Sequence, residues 1–320
     1  MPTDQTSADD RSLAVSVLIP TYNGQRFLGV VLESLARQTL AGDSFEIIIV
    51  DNNSTVDLFA TEAAIQARKH LAERGIRLTV VNETRQGLTH ARSAGIHAAR
   101  AAIAVFLDDD NEVVPDYLES GIAAFADATV GMLISRVSPD YYEQPSPAVR
   151  RREHLLAINY QMGDEPKRWD PSIPISPTLG AGLWIRTAVF RTIQQDFKPI
   201  MSDRVQDQLV SGGDIELGIF CGRLGLTRLY LPSLGVHHHL PESRVQPAYI
   251  VRLIQGIIRS EMTLQSHYFG RRYSLMTRLG KLVLNSTVGV FVALRRGDAG
   301  REYRFIVASA LAQFRGPLKL

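Results

Sequence analysis

Apolar residues occur along this chain in short β-branched runs, separated by stretches where they recur every three or four positions. The first run, Leu13 to Pro20, carries Val15, Val17, Leu18 and Ile19 and is closed by the proline. Leu28, Val31, Leu32 and Leu35 then fall at helical spacing, which predicts one apolar face packed against a sheet. Phe45 to Val50 is an unbroken apolar strand of the kind covered on both faces. A polar turn, Asp51 to Thr55, leads into a helix that stops near Arg74 and Gly75. Ile76 to Val81 predicts a third strand, Thr89 to Ala99 an alanine-rich helix, and Ile103 to Leu107 a fourth strand. This βαβαβαβ alternation predicts a mostly parallel, three-layer α/β domain with right-handed crossovers. Ligands of such domains bind beyond the carboxyl ends of the strands.

The pattern then loosens. A helix from about Pro115 to Phe125 and a short strand, Val130 to Ser135, precede an irregular stretch from Ser138 to Pro177 that holds many prolines with Tyr141, Tyr142 and Trp169. Irregular segments of this length inside a domain are usually functional or mobile, and Leu155 with Leu156 is the anchor for a short helix within it. Regular structure returns at Gly180 to Phe190, then as a helix, Asp214 to Arg223, stopped by Gly225, and a short strand, Leu226 to Leu231. Three helical stretches follow, Tyr249 to Phe269, Leu275 to Leu294 and Ile306 to Phe314. Lys281 and Asn285 interrupt the middle one, which argues against a transmembrane span. Its basic flanks, Arg271, Arg272, Arg295 and Arg296, fit an anionic membrane surface. A helical subdomain that packs on the rest of the chain or forms a homodimer explains the same pattern.

Composition changes this picture only at its edges. The 320 residues carry a formal charge of +2, too little for a nucleic-acid footprint, and a single cysteine, Cys221, excludes an intrachain disulfide framework and fits a reducing compartment. The polar, acidic first ten residues do not read as a signal peptide, so residues 1–12 are expected to form a flexible leader and the chain to be cytoplasmic.

The strongest chemical signal is Asp108-Asp109-Asp110, placed directly after the fourth strand. Packed carboxylates repel and raise one another's pKa, and a divalent cation supplies the missing countercharge. Mg²⁺ and Mn²⁺ prefer oxygen ligands and commonly take one or two carboxylates with substrate phosphates. Strand-like alternation would let Asp108 and Asp110 face one site with Asp109 turned aside. The competing reading is a solvated acidic turn that caps the next helix.

Five motifs in order resemble the inverting GT-A glycosyltransferases, family 2. They are Val17-Leu18-Ile19-Pro20-Thr21-Tyr22-Asn23, Glu46 to Ser54 around Asp51, Arg85-Gln86-Gly87-Leu88 with Ala91-Arg92, Phe106 to Asp110, and Gly213-Asp214-Ile215-Glu216-Leu217. The resemblance spans about Ser16 to His239. It implies that Asp51 contacts the nucleoside base, that Pro20, Thr21 and Tyr22 line its pocket, and that Asp108 lies near the ribose or a metal-bound water. Asp109 is grouped with these donor-binding residues, Asp110 is the direct ligand of Mn²⁺ or Mg²⁺, and Asp214 is the base that deprotonates the acceptor hydroxyl. Leu179 to Trp184 resembles a stretch that shapes the acceptor side. Asp207 and Glu216 are lesser candidates for the base.

Arg85 and Arg92 could pair with phosphate, and of the triplet His237-His238-His239, His237 is the preferred additional metal ligand. Asp214 competes for a second role as N-cap of its helix. On this reading residues 13–240 form the catalytic domain, with a nucleotide-binding half to about 112 and an acceptor-binding half to 240, and 241–320 form a C-terminal helical extension. The implied partners are a nucleotide-sugar donor, with UDP-sugars as the default, and a glycan or polyprenyl-linked acceptor, met in the cytoplasm or peripherally on the inner face of the membrane. The motifs depart from the common pattern in three places. Gly213 stands where an acidic residue often precedes the base, Ser93 where asparagine is frequent, and Val56 delays Asp57 by one position. A nucleotidyltransferase on a related fold would favour a glycine-rich basic loop after the first strand, which Pro20 to Arg26 does not supply. A binding module without activity is the remaining alternative, and the retained carboxylates argue against it.

Overall fold

Val15–Thr21 (β1) is buried along its whole length, and its side chains alternate between two cores, as those of a strand covered on both faces must. The structure, a computed structural model, describes residues 13–201, 203, 209–274, 276, 278–279 and 299–318. The expected leader, most of the stretch Leu275 to Leu294 and Asp207 lie outside the described residues. Val15, Val17 and Ile19, with Ile47 and Ile49 of Phe45–Asp51 (β2), face the helices Gln25–Ala36 (α1) and Glu62–Glu73 (α2). Leu18, Ile48 and Val50 face the opposite layer, which includes Leu88–Ala98 (α3). These alternating faces produce the expected three layers.

Arg77–Asn82 (β3), β2, β1 and Ile103–Phe106 (β4) form a parallel block in the order β3-β2-β1-β4. Asn111–Val113 (β5) and Tyr117–Ala124 (α4) lead to Val130–Tyr141 (β6), followed by the short helix Pro147–Arg150 (α5) and Lys167–Trp169 (β7). Leu183–Arg186 (β8) runs antiparallel between β4 and β6, and Thr187–Thr192 (α6) and Gly213–Arg223 (α7) precede Thr227–Leu240 (β9). Among the described residues nine strands make one sheet, in which β9 pairs in parallel with β6 and antiparallel with β5 and β7.

Two expectations are corrected here. Both β6 and β9 run far beyond the short strands predicted. Their pairing shifts register between Ser135 and Arg136, opposite the Pro232-Ser233-Leu234-Gly235 stretch, and then resumes. A proline and a glycine look like a strand end in sequence, whereas here they form an irregularity that the neighbouring strand tolerates. The histidine triplet therefore lies within β9, where Asn111 pairs with His238 and Glu112 with His237.

Trp184 fills the centre of the second half. It is fully buried on β8, its indole N–H donates to the Tyr117 hydroxyl at 3.0 Å, and that hydroxyl is 2.8 Å from Ser135 Oγ. A Cβ at position 121 would collide with the indole, which explains a glycine inside α4. The segment Leu179 to Trp184, likened to an acceptor-shaping stretch, thus contributes its tryptophan to the core rather than to a pocket. Pro247–Phe269 (α8) and Ala299–Arg315 (α9) pack together beyond β9. Among the described residues no helix is long and apolar enough to cross a membrane. Trp184→Ala should lower unfolding free energy by about 3–5 kcal/mol in urea denaturation, since it empties a closed site and removes a buried hydrogen bond.

Candidate active site

The carboxyl ends of β1 and β4 open into a cleft of about 700 Å³. Its wall includes Pro20, Thr21 and Tyr22 from the end of β1, Asp108, Asp109 and Asp110 from the end of β4, and His238 from β9. Arg244, Tyr249 and Leu253 enter from the C-terminal helical part, so that part closes one side of the cleft rather than hanging from it. Leu155, Leu156 and Ala157 come from the irregular segment, which does form a short helical turn, Glu153–Leu156.

The loops behind this wall are tied to one another. Asn52 N–H donates to Thr21 O at 2.8 Å, and Thr55 N–H to Asn23 Oδ1 at 2.9 Å. Asn52 is the brace of the third loop. Its Nδ2 donates to the carbonyls of Glu83 (2.9 Å) and Arg85 (2.8 Å), and its Oδ1 accepts from Gly87 N–H at 2.7 Å. Gly87 has φ 136°, a conformation that disfavours any side chain, and it starts α3. Asp51, expected at the base, is half-buried and accepts from Ser54 N–H at 2.9 Å, while its neighbour Asn52 is on the cleft wall.

All three aspartates face the cleft, so Asp109 is not turned aside. Its carboxylate accepts a short hydrogen bond from Thr21 Oγ1 and occupies the space a Cβ on Gly24 would need. Burial, with the Asp110 charge next, pushes the Asp109 carboxyl up to about 7. Burial also opposes ionisation of Asp110, but His238, Arg244 and His239 outweigh it and hold that carboxyl below its ordinary value. His238 Nε2 is 3.5 Å from Asp110 Oδ2, and its buried Nδ1 has no hydrogen-bond partner among the described residues. Arg244 Nη1 donates to the Tyr249 hydroxyl at 2.9 Å.

Two residues are placed differently from expectation. His237 points to solvent on β9, and alternation along the strand turns His238 to Asp110 instead. Arg85 is exposed and spent on Glu83, with Nε and Nη2 at 3.0 and 2.8 Å from the carboxylate oxygens; this pairing lowers the Glu83 carboxyl to about 2. Gln86 of the same loop lines the cleft.

Among the described residues, no set of three or more His, Cys, Asp or Glu side chains could hold a cation unaided. Asp110 with His238 is a pair of one oxygen and one nitrogen donor, beside a second carboxylate, Asp109, whose proton affinity is raised by burial and then by the Asp110 charge. Such a pair fits an ion that takes most of its shell from a diphosphate and water.

Asp214 is half-buried in the first turn of α7, and the N-cap is Gly212, not Asp214. Burial, then the negative charge of Asp203, push its carboxyl up to about 6. Asp203 in turn accepts Leu88 N–H through its carbonyl (2.9 Å) and lies 3.9 Å from Arg92. Leu88 and Ala91 line the cleft, so the Asp203–Asp214–Arg92 group adjoins its wall, although none of the three is on it. Arg92, considered for phosphate, is buried over the Phe106 ring, with space for its guanidinium only because residue 180 is glycine. Glu216 is also engaged. It accepts from Ile200 N–H (2.8 Å), Met201 N–H (3.0 Å) and the Tyr268 hydroxyl, which removes it as a free base.

The profile of "Glycosyl transferase family 2" matches residues 16–183, more than half of the chain. The chain belongs to glycosyl transferase family 2. It is 35% identical over 154 residues to EpsH of Bacillus subtilis (strain 168), covering 48% of this chain and 40% of EpsH. It is 34% identical over 114 residues to validoxylamine A glucosyltransferase of Streptomyces hygroscopicus subsp. limoneus, covering 35% of this chain and 24% of that protein. The chain thus spans less than half the length of these curated relatives. Among solved structures, it superposes on the mannosyltransferase PcManGT of Pyrobaculum calidifontis, in complex with GDP-Man and Mn²⁺, with TM-score 0.53 and 18% identity over 98% of this chain and 77% of the other. That likeness establishes the family 2 chain as a three-layer, GT-A-like α/β fold with a C-terminal helical extension.

Asn52→Ala should cost about 1–3 kcal/mol in urea denaturation, because it strands the Gly87 N–H and two loop carbonyls together. Hydrogen exchange should rise first at residues 83–88.

Proposed function

We propose that the chain is a metal-dependent, inverting glycosyltransferase that moves a sugar from a nucleoside diphosphate, UDP by default, to a hydroxyl of a glycan or lipid-linked glycan. The observation that carries this reading is the trio Asp108, Asp109 and Asp110 lining one cleft with His238 and Arg244. Asp110 and His238 would hold the cation, with the diphosphate completing its shell. A bound Mn²⁺ or Mg²⁺ supplies positive charge against the leaving diphosphate. Pro20, Thr21 and Tyr22 flank the nucleoside, and Arg244 offers a fixed cation on the same wall.

Asp214 takes the proton of the acceptor hydroxyl as its oxygen forms the bond to the anomeric carbon. The bond from that carbon to the diphosphate breaks on the opposite face, and its electron pair leaves with the nucleotide. One displacement inverts the centre, so an α-linked donor gives a β-linked product. A carboxyl raised to about 6 is a stronger base than an ordinary aspartate and still ionised near neutrality. Exposed Phe269, Met276 and Leu279 beside exposed Arg271 and Arg272 support a membrane-surface acceptor.

Mass spectrometry of reactions with a panel of nucleotide sugars, Mn²⁺ and lipid extract should reveal one donor consumed. Asp214→Asn should lower kcat by roughly 10²–10⁴-fold with donor affinity nearly intact. Asp110→Ala should abolish Mn²⁺-dependent donor turnover; equal turnover in that variant would contradict the site. Because the base acts ionised, kcat/KM should fall as pH drops through about 6. NMR of the purified product should show inversion, and retained configuration would exclude the single displacement.

A further inference from the structure

Helix α7 begins Gly212-Gly213-Asp214, with no side-chain cap of its own. Its first N–H groups need an acceptor, and a buried helix start without one is costly. The acceptor comes from ten residues upstream. Gly213 N–H donates to both carboxylate oxygens of Asp203, at 3.1 and 3.0 Å. Asp203 is buried, and its own backbone is fixed to α3, with its carbonyl accepting from Leu88 N–H (2.9 Å) and its N–H donating to Thr89 Oγ1 (3.2 Å). The segment before it is clamped from the other side, where Glu216 accepts the N–H groups of Ile200 and Met201.

Gly213 is the second half of the observation. A Cβ built on it would stand 2.7 Å from Asp203 Oδ2, so the carboxylate fills the space that a side chain at 213 would take. The φ of Gly213 is not positive, so its lack of a side chain serves room rather than backbone freedom. The chain thus carries a carboxylate beside Asp214 through space, at a point where the sequence shows only glycine.

We propose that Asp203 is a positioning residue for the transfer reaction, which caps α7 and sets the orientation and basicity of Asp214 with a charge delivered from the loop in place of a side chain at 213. The inference rests on the reading of Asp214 as the base. Among the described residues, the charged groups that act on Asp214 are Asp203 from the loop and Arg92 from α3, while the Glu216 carboxylate on α7 itself is taken up by the 200–201 backbone and by Tyr268 of α8. Arg92, 3.9 Å from Asp203, opposes the effect of Asp203 on Asp214 without cancelling it, consistent with the raised carboxyl.

The test is the pH profile of kcat/KM in wild type, Asp203→Asn and Asp214→Asn, with thermal melts run alongside. Asp203→Asn keeps an oxygen for the Gly213 N–H and loses the charge, so the acid limb should move down by roughly one pH unit. A limb that stays in place, with folding intact, overturns the proposal. Should Asp203→Asn fold poorly, a compensating pair decides. Gly213→Asp alone meets the Asp203 carboxylate, and Asp203→Gly alone uncaps α7, so each should lose about tenfold or more in kcat/KM. Asp203→Gly with Gly213→Asp returns the charge but not the cap, so kcat/KM should rise several-fold above either single variant; losses that simply multiply contradict the proposal. Full activity in Asp214→Asn would instead refute the reading of the base, which separates the two failures.

Discussion

Carboxylates held together in a buried cleft constrain everything else in this chain. Asp108, Asp109 and Asp110 follow a wholly apolar strand, and the fold turns all three toward one cavity instead of letting them spread into solvent. Ionising such a group without countercharge is opposed both by desolvation and by mutual repulsion. The protein answers partly from within, with His238, Arg244 and the Thr21 hydroxyl, and Asp109 still retains a raised proton affinity. In the proposed function, a divalent cation arriving with a diphosphate would offset the remaining imbalance.

Topology explains how distant parts of the chain reach that point. The parallel block places the ends of β1, β2 and β3 side by side, and Asn52 fastens the three loops that leave them. Antiparallel pairing of β5 with the far end of β9 then carries His238 back to Asp110. Helix α8 continues from that return and supplies Tyr249 and Leu253 to the wall. A second acidic group, Asp203 with Asp214 around Arg92, is assembled next to Leu88 and Ala91 by a loop pinned between α3 and α7. The two groups have different tasks in the proposed reaction, one to hold a cation and the other to accept a proton.

Much of this could be read in the sequence, and the omissions have physical causes. Strong alternation and β-branched runs marked β1, β2 and β4 closely, because a strand buried on both faces leaves little freedom in residue choice. The acidic trio was legible for the same reason, since charge directly after such a strand is costly. Strand β6 was shortened by the proline-rich stretch that begins at Ser138, and β9 because Pro232 and Gly235 resemble a terminus; the second error hid the strand geometry that selects His238 over His237. Arg244 lies in a short turn between two prolines and Tyr249 at the start of a helical apolar pattern, and neither setting says which polar neighbours face a cleft. Asp203 lies in a stretch without periodicity, and Gly213 stood only as a departure from the common motif, because the contact between them is made through space. Arg85 looked free in sequence, whereas Glu83 two residues earlier is placed to bind it.

Calorimetric titration of Mn²⁺ into the protein, with and without saturating UDP, addresses the cation site most directly. The described residues offer too few donors to coordinate the ion alone, so affinity should rise by about tenfold or more when the diphosphate is present, with UDP affinity rising by the same factor when Mn²⁺ is present. Mn²⁺ binding that is equally tight without UDP, or no coupling between the two ligands, would contradict a site completed by the diphosphate.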